Sequence, residues 1–400
     1  MIKHRLFISM HYMELGGAEI SLIGLLQALD YSKYDVDLFI HRHQGELMAF
    51  IPKEVNLLPE IPAYASIEST LTEAIRRRQF GVVWGRLKAK WRARRYQPRN
   101  AALPQCAIFQ YVAQEVEPYV PSLEHYGEYG LAISFLQPHN YVLSKVKAKK
   151  KVCWIHTDYT KVEFDIDAEL PIWKVYDHIV SISPDVTKTF LQIFPSLENK
   201  IVEIENILST ELVRKRADEM DVFNEMPKED GRVNILSVGR FSEAKNYDNV
   251  PDICRKVRIH GVDLRWFIIG FGDDSLIRHK IHETGMEEYV ILLGKQTNPY
   301  PYMKACDIYA QPSRYEGKSV TVREAQMLCK PVVITNYPTA KSQIQDGIDG
   351  VIVPMDNEAC AKGIAEFIKD KELQRRIVEY LHTHDYGNLA EIQKLEMLMK

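Results

Sequence analysis

Short apolar runs recur along the chain, separated by stretches with helical patterning, and the second half repeats this most regularly. Residues 233–238, 264–269, 290–293, 308–310, 331–335 and 350–354 are apolar and β-leaning, with helical patterns such as 249–259 and 321–328 between them. Continuous apolar runs alternating with helices predict a parallel sheet buried on both faces. The first half repeats the theme less cleanly, with strand candidates at 6–10, 36–40, 131–135, 151–155 and 178–182. The pattern predicts two α/β, doubly wound, Rossmann-like domains. The first covers 1–204 and the second 205–380, with the switch near Ile204-Glu-Asn-Ile-Leu208. The helix-prone tail 381–400 follows the second domain's final helix.

Composition narrows the class. A chain of 400 residues is long for one domain, and 46% hydrophobic residues are enough for sizeable cores. A formal net charge of −3 gives no general case for nucleic acid or for disorder. The six cysteines (Cys106, Cys153, Cys254, Cys306, Cys329, Cys360) are scattered without a C-x-x-C pair, which favours buried free thiols in a reducing compartment. The apolar stretch at the amino terminus is too short for a signal peptide, and no run approaches the roughly 20 residues of a membrane span. A cytoplasmic protein is expected, held at the inner face of a membrane if some other feature binds it there.

Glu316 and Glu324 stand eight residues apart where a strand (307–312) leads into a helix (321–328). Glu316 then falls in the turn at a strand's carboxyl end and Glu324 about one turn into the helix. In open α/β sheets that crevice is where ligands bind. Two carboxylates there can accept hydrogen bonds from several hydroxyls, which suits a sugar or a ribose.

Other strand-to-helix loops add charge. Val238-Gly-Arg-Phe-Ser-Glu-Ala-Lys-Asn246 puts Arg240 and Lys245 on one loop, where they could hold a diphosphate or be a solvated basic loop; the strand end favours phosphate. Gly16 and Gly17 precede a helix beginning about Ala18 and permit close backbone approach of a phosphate or sugar, although two glycines also make a plain tight turn. His156 and Asp158 follow an apolar strand as a substrate contact, a general acid/base pair or a structural histidine. Gly270-Phe-Gly272 lacks a third glycine and runs into Asp273 and Asp274, which would repel a pyrophosphate, so a nicotinamide site is rejected. The pairs Asp35/Asp37 and Asp165/Asp167 have no further ligands in view and are read as surface charge, with no metal site.

Residues 76–99 differ from the rest. They hold ten basic residues (Arg76, Arg77, Arg78, Arg86, Lys88, Lys90, Arg92, Arg94, Arg95, Arg99) and no acidic one. Phe80, Trp84, Leu87 and Trp91 are spaced by four, three and four, which is one face of a helix. That face suits an anionic membrane surface or the core equally, with nucleic acid well behind.

Together these segments resemble the retaining family 4 (group 1) glycosyltransferases of the GT-B fold. The likeness rests on Gly16-Gly17-Ala18-Glu19, the Arg240 and Lys245 loop, the E-x7-E pair Glu316/Glu324, Gly317, and Lys330-Pro-Val-Val333. It implies two facing Rossmann-like domains, with the tail 381–400 crossing back onto the first. It implies a nucleotide-sugar donor, a UDP-sugar first among the choices, with no cofactor or metal. Arg240 and Lys245 would bind its diphosphate, Glu316 the sugar and Glu324 the ribose. Ser319, Val320 and Thr321 would complete the phosphate cradle, Lys295 and Gln296 would edge the base, His156 would reach the donor sugar, and Gly16 and Gly17 would close over the diphosphate. The implied acceptor is a glycan or lipid-linked glycan in surface polysaccharide synthesis. A GT-B epimerase or phosphorylase and a non-catalytic scaffold are the alternatives. One departure stands out: many relatives have Glu-Gly-Phe-Gly where this chain has Glu316-Gly-Lys-Ser319, placing Lys318 as an extra cation near the donor.

Overall fold

The structure, a computed structural model, describes residues 3–14, 16–317 and 319–399. Lys318, on which the expectation of an extra cation falls, lies outside the described residues. The chain divides into two compact units, Met1–Leu208 with Leu389–Lys400, and Ser209–Asn388.

The first unit is built on a seven-stranded sheet of β1 (His4–Met10), β2 (Tyr34–Ile40), β3 (Asn56–Leu57), β4 (Glu128–Ser134), β5 (Lys147–Ile155), β6 (His178–Ser181) and β7 (Ile201–Glu203). Their order is β3-β2-β1-β4-β5-β6-β7, and every pair is parallel. In β1 the run Leu6–Met10 is buried throughout, as expected of a central strand covered on both faces. Leu6 pairs with Val36 on one side and Leu131 on the other. Because the order reverses at β1/β4, the crevice of this sheet opens at their carboxyl ends.

The second unit has six parallel strands: β8 (Val233–Val238), β9 (Leu264–Ile269), β10 (Val290–Gly294), β11 (Ile308–Gln311), β12 (Val332–Thr335) and β13 (Val351–Val353). They run β10-β9-β8-β11-β12-β13, so this sheet's switch point is β8/β11. Ser237 is buried in β8, where its hydroxyl donates to the Ala310 carbonyl over 2.7 Å and accepts from Trp266 Nε1 over 2.9 Å. A polar side chain is tolerated there because both of its hydrogen-bonding roles are filled.

The units divide at Leu208/Ser209, because Ile204 and Ile207 are buried in the first unit's core. Leu381 lies on the helix Lys371–Thr383 and is buried with Ile377 in the second unit's core. The tail leaves the second unit only at Leu389, after which the helix Ile392–Leu398 buries Leu395 and Leu398 in the first. β3 and β7 were not anticipated; strands of two and three residues carry no readable alternation.

Two surface-charge readings are corrected. Asp37 is buried and accepts from Arg5 Nη2 (2.9 Å), Tyr129 OH (2.6 Å) and Asn56 Nδ2 (2.6 Å). Asp165 caps the helix Ile166–Val175 by accepting from Ala168 N over 3.1 Å, and it accepts from Tyr111 OH over 2.6 Å. Both carboxylates are parts of the fold. Five of the cysteines are buried free thiols and Cys106 is half-buried.

Candidate functional site

The loops after β8, β9, β10 and β11 gather at the carboxyl edge of the second sheet. Gly270 allows two of them to touch: a Cβ there would meet the Gly239 carbonyl oxygen at 2.2 Å. Gly239 N donates to Ile269 O (3.0 Å) and Phe241 N to Phe271 O (2.8 Å), which locks the loops side by side.

Across the switch point, Lys245 Nζ lies 2.6 Å from Glu316 Oε1, in a pair that is mostly shielded from water. Ser313 Oγ and Gln311 Nε2 donate to the same oxygen over 2.6 and 3.1 Å. Gln311 is itself held by Tyr309 OH (2.8 Å) and Thr321 Oγ1 (3.3 Å). The Glu316 carbonyl accepts from Thr339 Oγ1 at 2.9 Å. Glu316 is thus fixed at one oxygen, and among the described residues no donor reaches Oε2. A Cβ on neighbouring Gly317 would meet nothing within 4 Å, so this turn faces open space. The Lys245 loop is set by Asn246, whose left-handed backbone (φ 60°) ends a helical turn and whose Nδ2 donates to the Pro312 carbonyl over 2.8 Å.

Arg240 and Lys295 are exposed on the β8 and β10 loops, each 5.6 Å from the centre of the Phe271 ring. Two cations on one aromatic form a positive rim beside Lys245 and Glu316. Gln296 folds back, donating to the Leu293 carbonyl over 2.9 Å. Ser319, Val320 and Thr321 open the helix Val320–Met327. The Ser319 N–H is already taken by Gln343 Oε1 (3.1 Å), and Gln343 Nε2 donates to the Ser319 carbonyl over 2.5 Å. The hydroxyls of Ser319 and Thr321 lie 3.1 Å apart, and Ser319 places no side-chain cap on the helix.

Glu324 is fully buried on that helix and accepts from Tyr300 OH over 2.6 Å. Burial pushes its carboxyl up to about 7, against the Tyr300 hydrogen bond and the charge of Arg216, which favour ionisation. Arg216, also buried, lies 5.1 Å from the Tyr300 ring centre. Gln311, Ser313, Tyr300, Arg216 and Gln343 escaped sequence reasoning. None sits in a motif, and only the folded sheet brings them to the two glutamates.

The remaining expected residues lie in the first unit. Gly16 caps the helix Gly17–Ala28, and a Cβ on it would meet the Glu19 carboxylate at 2.2 Å. Gly17 has open space around its Cα. His156 packs against the Phe135 ring at 4.7 Å, and its Nε2 is buried without a partner among the described residues. Burial lowers its pKa to about 4, only partly offset by a backbone hydrogen bond at Phe135, so the ring is neutral at physiological pH. Asp158 is not its acid/base partner: it caps the next turn, accepting from Thr160 N (2.9 Å) and Thr160 Oγ1 (2.6 Å).

Comparison with known proteins gives a consistent picture. Residues 218–383 match the family described as glycosyl transferases group 1. An N-acetylgalactosamine-N,N'-diacetylbacillosaminyl-diphospho-undecaprenol 4-alpha-N-acetylgalactosaminyltransferase of Campylobacter jejuni is 33% identical over 145 residues, which cover 35% of this chain and 39% of that protein. The lipopolysaccharide core biosynthesis glycosyltransferase LpsE of Rhizobium meliloti is 27% identical over 158 residues, or 39% of this chain and 45% of its own length. The matches thus span less than half of these curated relatives. Among solved structures, Anabaena Alr3699/HepE in complex with UDP superposes with a TM-score of 0.64 at 15% identity, covering 99% of both chains. A mutant of S. aureus TarM, in a complex that includes UDP, gives 0.67 at 13% identity, covering 99% of this chain and 100% of that one. These likenesses show the fold: the paired Rossmann-like units of GT-B proteins.

Proposed function

Through residues 218–383 the chain belongs to the group 1 glycosyl transferases, and from that membership we propose that it moves a sugar from a nucleoside diphosphate onto a glycan or lipid-linked acceptor. The setting is surface polysaccharide synthesis, and the anomeric configuration is retained. The observation that carries this reading is the Lys245–Glu316 contact across the β8/β11 switch point, with Arg240 and Lys295 exposed beside it.

A donor diphosphate would be bound by Arg240 and Lys245, and by first-turn N–H groups near Val320 and Thr321. As the glycosidic bond breaks, negative charge grows on the departing diphosphate, and these fixed positive groups favour that state. Lys245 would turn from Glu316 towards the phosphate, leaving the carboxylate to accept from the hydroxyls of the donor sugar. Glu324, with one oxygen taken by Tyr300, would offer the other to the ribose. Lys295 and Gln296 would edge the base. A carboxylate that already accepts from Ser313, Gln311 and the donor's hydroxyls is a poor nucleophile, which favours a same-face displacement assisted by the leaving phosphate. A UDP-sugar donor is supported by the Anabaena neighbour, whose structures include UDP and UDP-glucose. A lipid-linked acceptor is supported by the diphospho-undecaprenol in the Campylobacter relative's name.

Membrane proximity has its own observation. On the helix Phe80–Arg95, Phe80, Trp84, Leu87 and Trp91 are 63, 55, 45 and 56% exposed, which overturns the core-facing reading of this stripe. The buried face is Val82, Gly85 and Ala89, two positions and therefore about half a turn away. Gly85 makes that packing possible, since a Cβ there would meet the Glu115 carbonyl at 2.6 Å. Arg77, Arg86 and Arg92 are tied down by Glu60 and Glu73, by the Ser66 and Ser69 carbonyls, and by Gln114. Arg76, Arg78, Lys88, Lys90, Arg94, Arg95 and Arg99 stay exposed. An aromatic stripe flanked by exposed cations suits an anionic lipid surface. No helix among the described residues is long and apolar enough to cross a membrane.

The test is a thermal-shift screen of the purified protein with UDP-glucose, UDP-N-acetylglucosamine, UDP-N-acetylgalactosamine and GDP-mannose. One of these should stabilise the wild type and not Lys245→Met. Stabilisation by none, or equally in both proteins, would refute the donor site.

A further inference from the structure

The segment after β12 reaches back to the start of the helix Val320–Met327. It begins at Thr335, whose hydroxyl donates to the Ser313 carbonyl over 2.5 Å, and ends in the short helix Ala340–Gln343. Two of its side chains hold the backbone on either side of Gly317. Thr339 Oγ1 donates to the Glu316 carbonyl over 2.9 Å. Gln343, 24 residues from Ser319 in the chain, takes both backbone groups of that serine. Its Oε1 accepts from Ser319 N over 3.1 Å, and its Nε2 donates to the Ser319 carbonyl over 2.5 Å.

The residue type matters here. A carboxylate only accepts and an ammonium only donates, whereas the amide of Gln343 does both at once, as a neighbouring strand's backbone would. Because an N–H cannot accept and a carbonyl cannot donate, Ser319 also fixes which way round the amide sits. Tyr337 OH adds a second bond to Oε1 at 2.9 Å. Burial, helped by the charge of Glu316, raises the Tyr337 phenol well above its ordinary value, so it keeps its proton and donates.

This clamp has a geometric consequence. The Ser319 carbonyl and the Val320 N–H belong to one planar trans peptide and point in opposite directions. Pinning the carbonyl therefore sets the direction of the Val320 N–H. The helix start is fixed without being capped: Ser319 places no side-chain cap on the first turn, and its hydroxyl lies 3.1 Å from Thr321 Oγ1 instead. A serine in that position ordinarily caps its helix. A first turn that is held rigid from outside, with the serine cap unmade, suits an anion. We propose that Gln343 is a positioning residue for the donor, aiming the Val320 N–H at the sugar-bearing phosphate. Glu316, assigned to the sugar, is a near neighbour in the same stretch of chain, so the phosphate met at Val320 is the one joined to that sugar. The Ser319 N–H is spent on the clamp. The proposal rests on the transferase reading and deepens its donor side.

The experiment is titration calorimetry of the full chain with UDP against UMP, and with GDP against GMP so that either base is covered. The monophosphates lack the phosphate that carries the sugar. Gln343→Met keeps the size of the side chain and removes both bonds to Ser319. It should weaken the diphosphate by roughly tenfold, the worth of one hydrogen bond to a charged group, and leave the matching monophosphate within about twofold. Should Gln343→Met fail to fold, Tyr337→Phe, which frees the amide to turn, should give the same split at about threefold. A general loosening of the fold would weaken both nucleotides alike. A variant that binds the diphosphate as the wild type does, or that loses both nucleotides equally, refutes the role of Gln343 alone. A wild type that binds neither UDP nor GDP overturns the donor reading itself, and this assignment with it.

Discussion

Lys245 Nζ and Glu316 Oε1 meet at 2.6 Å although they come from loops 71 residues apart, one after each strand of the β8/β11 switch point. Each is the other's counter-charge in the shielded pair, and the proposed function assigns them different parts of the donor. Lys245→Met should therefore weaken UDP binding, and Glu316→Gln should leave it nearly intact while slowing transfer. A hydrogen bond to a charged group is worth about 1.5–3 kcal/mol, or roughly 10- to 150-fold in either quantity. Calorimetry with UDP and steady-state transfer rates separate the two. A Glu316→Gln enzyme with wild-type kcat would remove Glu316 from the reaction.

Glu324 should make stability depend on pH. Its carboxyl is pushed up to about 7 by burial from an ordinary 4.5, so the folded chain holds this proton more tightly than the unfolded one. The stability this gives is fully present below pH 4.5 and is lost as pH rises through about 7. Glu324→Gln keeps an acceptor for Tyr300 and never ionises. Its stability relative to wild type should rise between pH 5 and 8, by on the order of 3 kcal/mol at most. Burial also lifts Glu169, in the first unit, to about 7, so the readout is the difference between variant and wild-type denaturation curves. The same variant should raise the donor KM if Glu324 meets the ribose.

The sheets were legible because a parallel strand buried on both faces leaves a continuous apolar run, as in Leu6–Ile8 and Trp266–Ile269. The turn carrying Glu316 was legible because a strand and a helix bracket it. What the chain did not disclose is who meets whom. Lys245 was read as a phosphate ligand, and its pairing with Glu316 depends on β8 lying beside β11, which no local pattern encodes. The stripe Phe80–Trp91 had two equal readings because side-chain period gives a face and not its direction. The decisive sign was the neighbouring series of Val82, Gly85 and Ala89, small enough for the helix Ala107–Val116 to approach closely.

Asp37, expected at the surface, is instead an acceptor for three donors on β1, β3 and β4. Asp37→Ala would leave the Tyr129 hydroxyl buried without its carboxylate and Arg5 without its counter-charge. A loss of about 3 kcal/mol is expected, read from the midpoint and slope of urea denaturation. Asp35→Ala, whose partner Lys3 is exposed, should change stability by less than about 1 kcal/mol. Equal effects at the two positions would contradict the network.

The exposed stripe makes a prediction about lipid that is independent of any sugar. Arg95 lies 3.4 Å over the Trp91 ring and Lys88 Nζ 5.7 Å from that of Trp84, so aromatic and cation are presented together. The wild type should co-sediment with phosphatidylglycerol vesicles and scarcely with phosphatidylcholine, and added salt should release it. Replacing Arg94 and Arg95 by alanine removes about 1 kcal/mol each, or roughly 30-fold in all, and Trp84→Ala with Trp91→Ala should weaken binding further. Because these side chains are exposed, Tm should stay within about 1 °C of the wild type, as surface substitutions usually do. Gly85→Leu is the contrasting case: its side chain would strike the Glu115 carbonyl, so it should lower Tm by disturbing the buried face of the helix. Vesicle binding that survives the loss of both tryptophans and both arginines would exclude this helix as the docking surface.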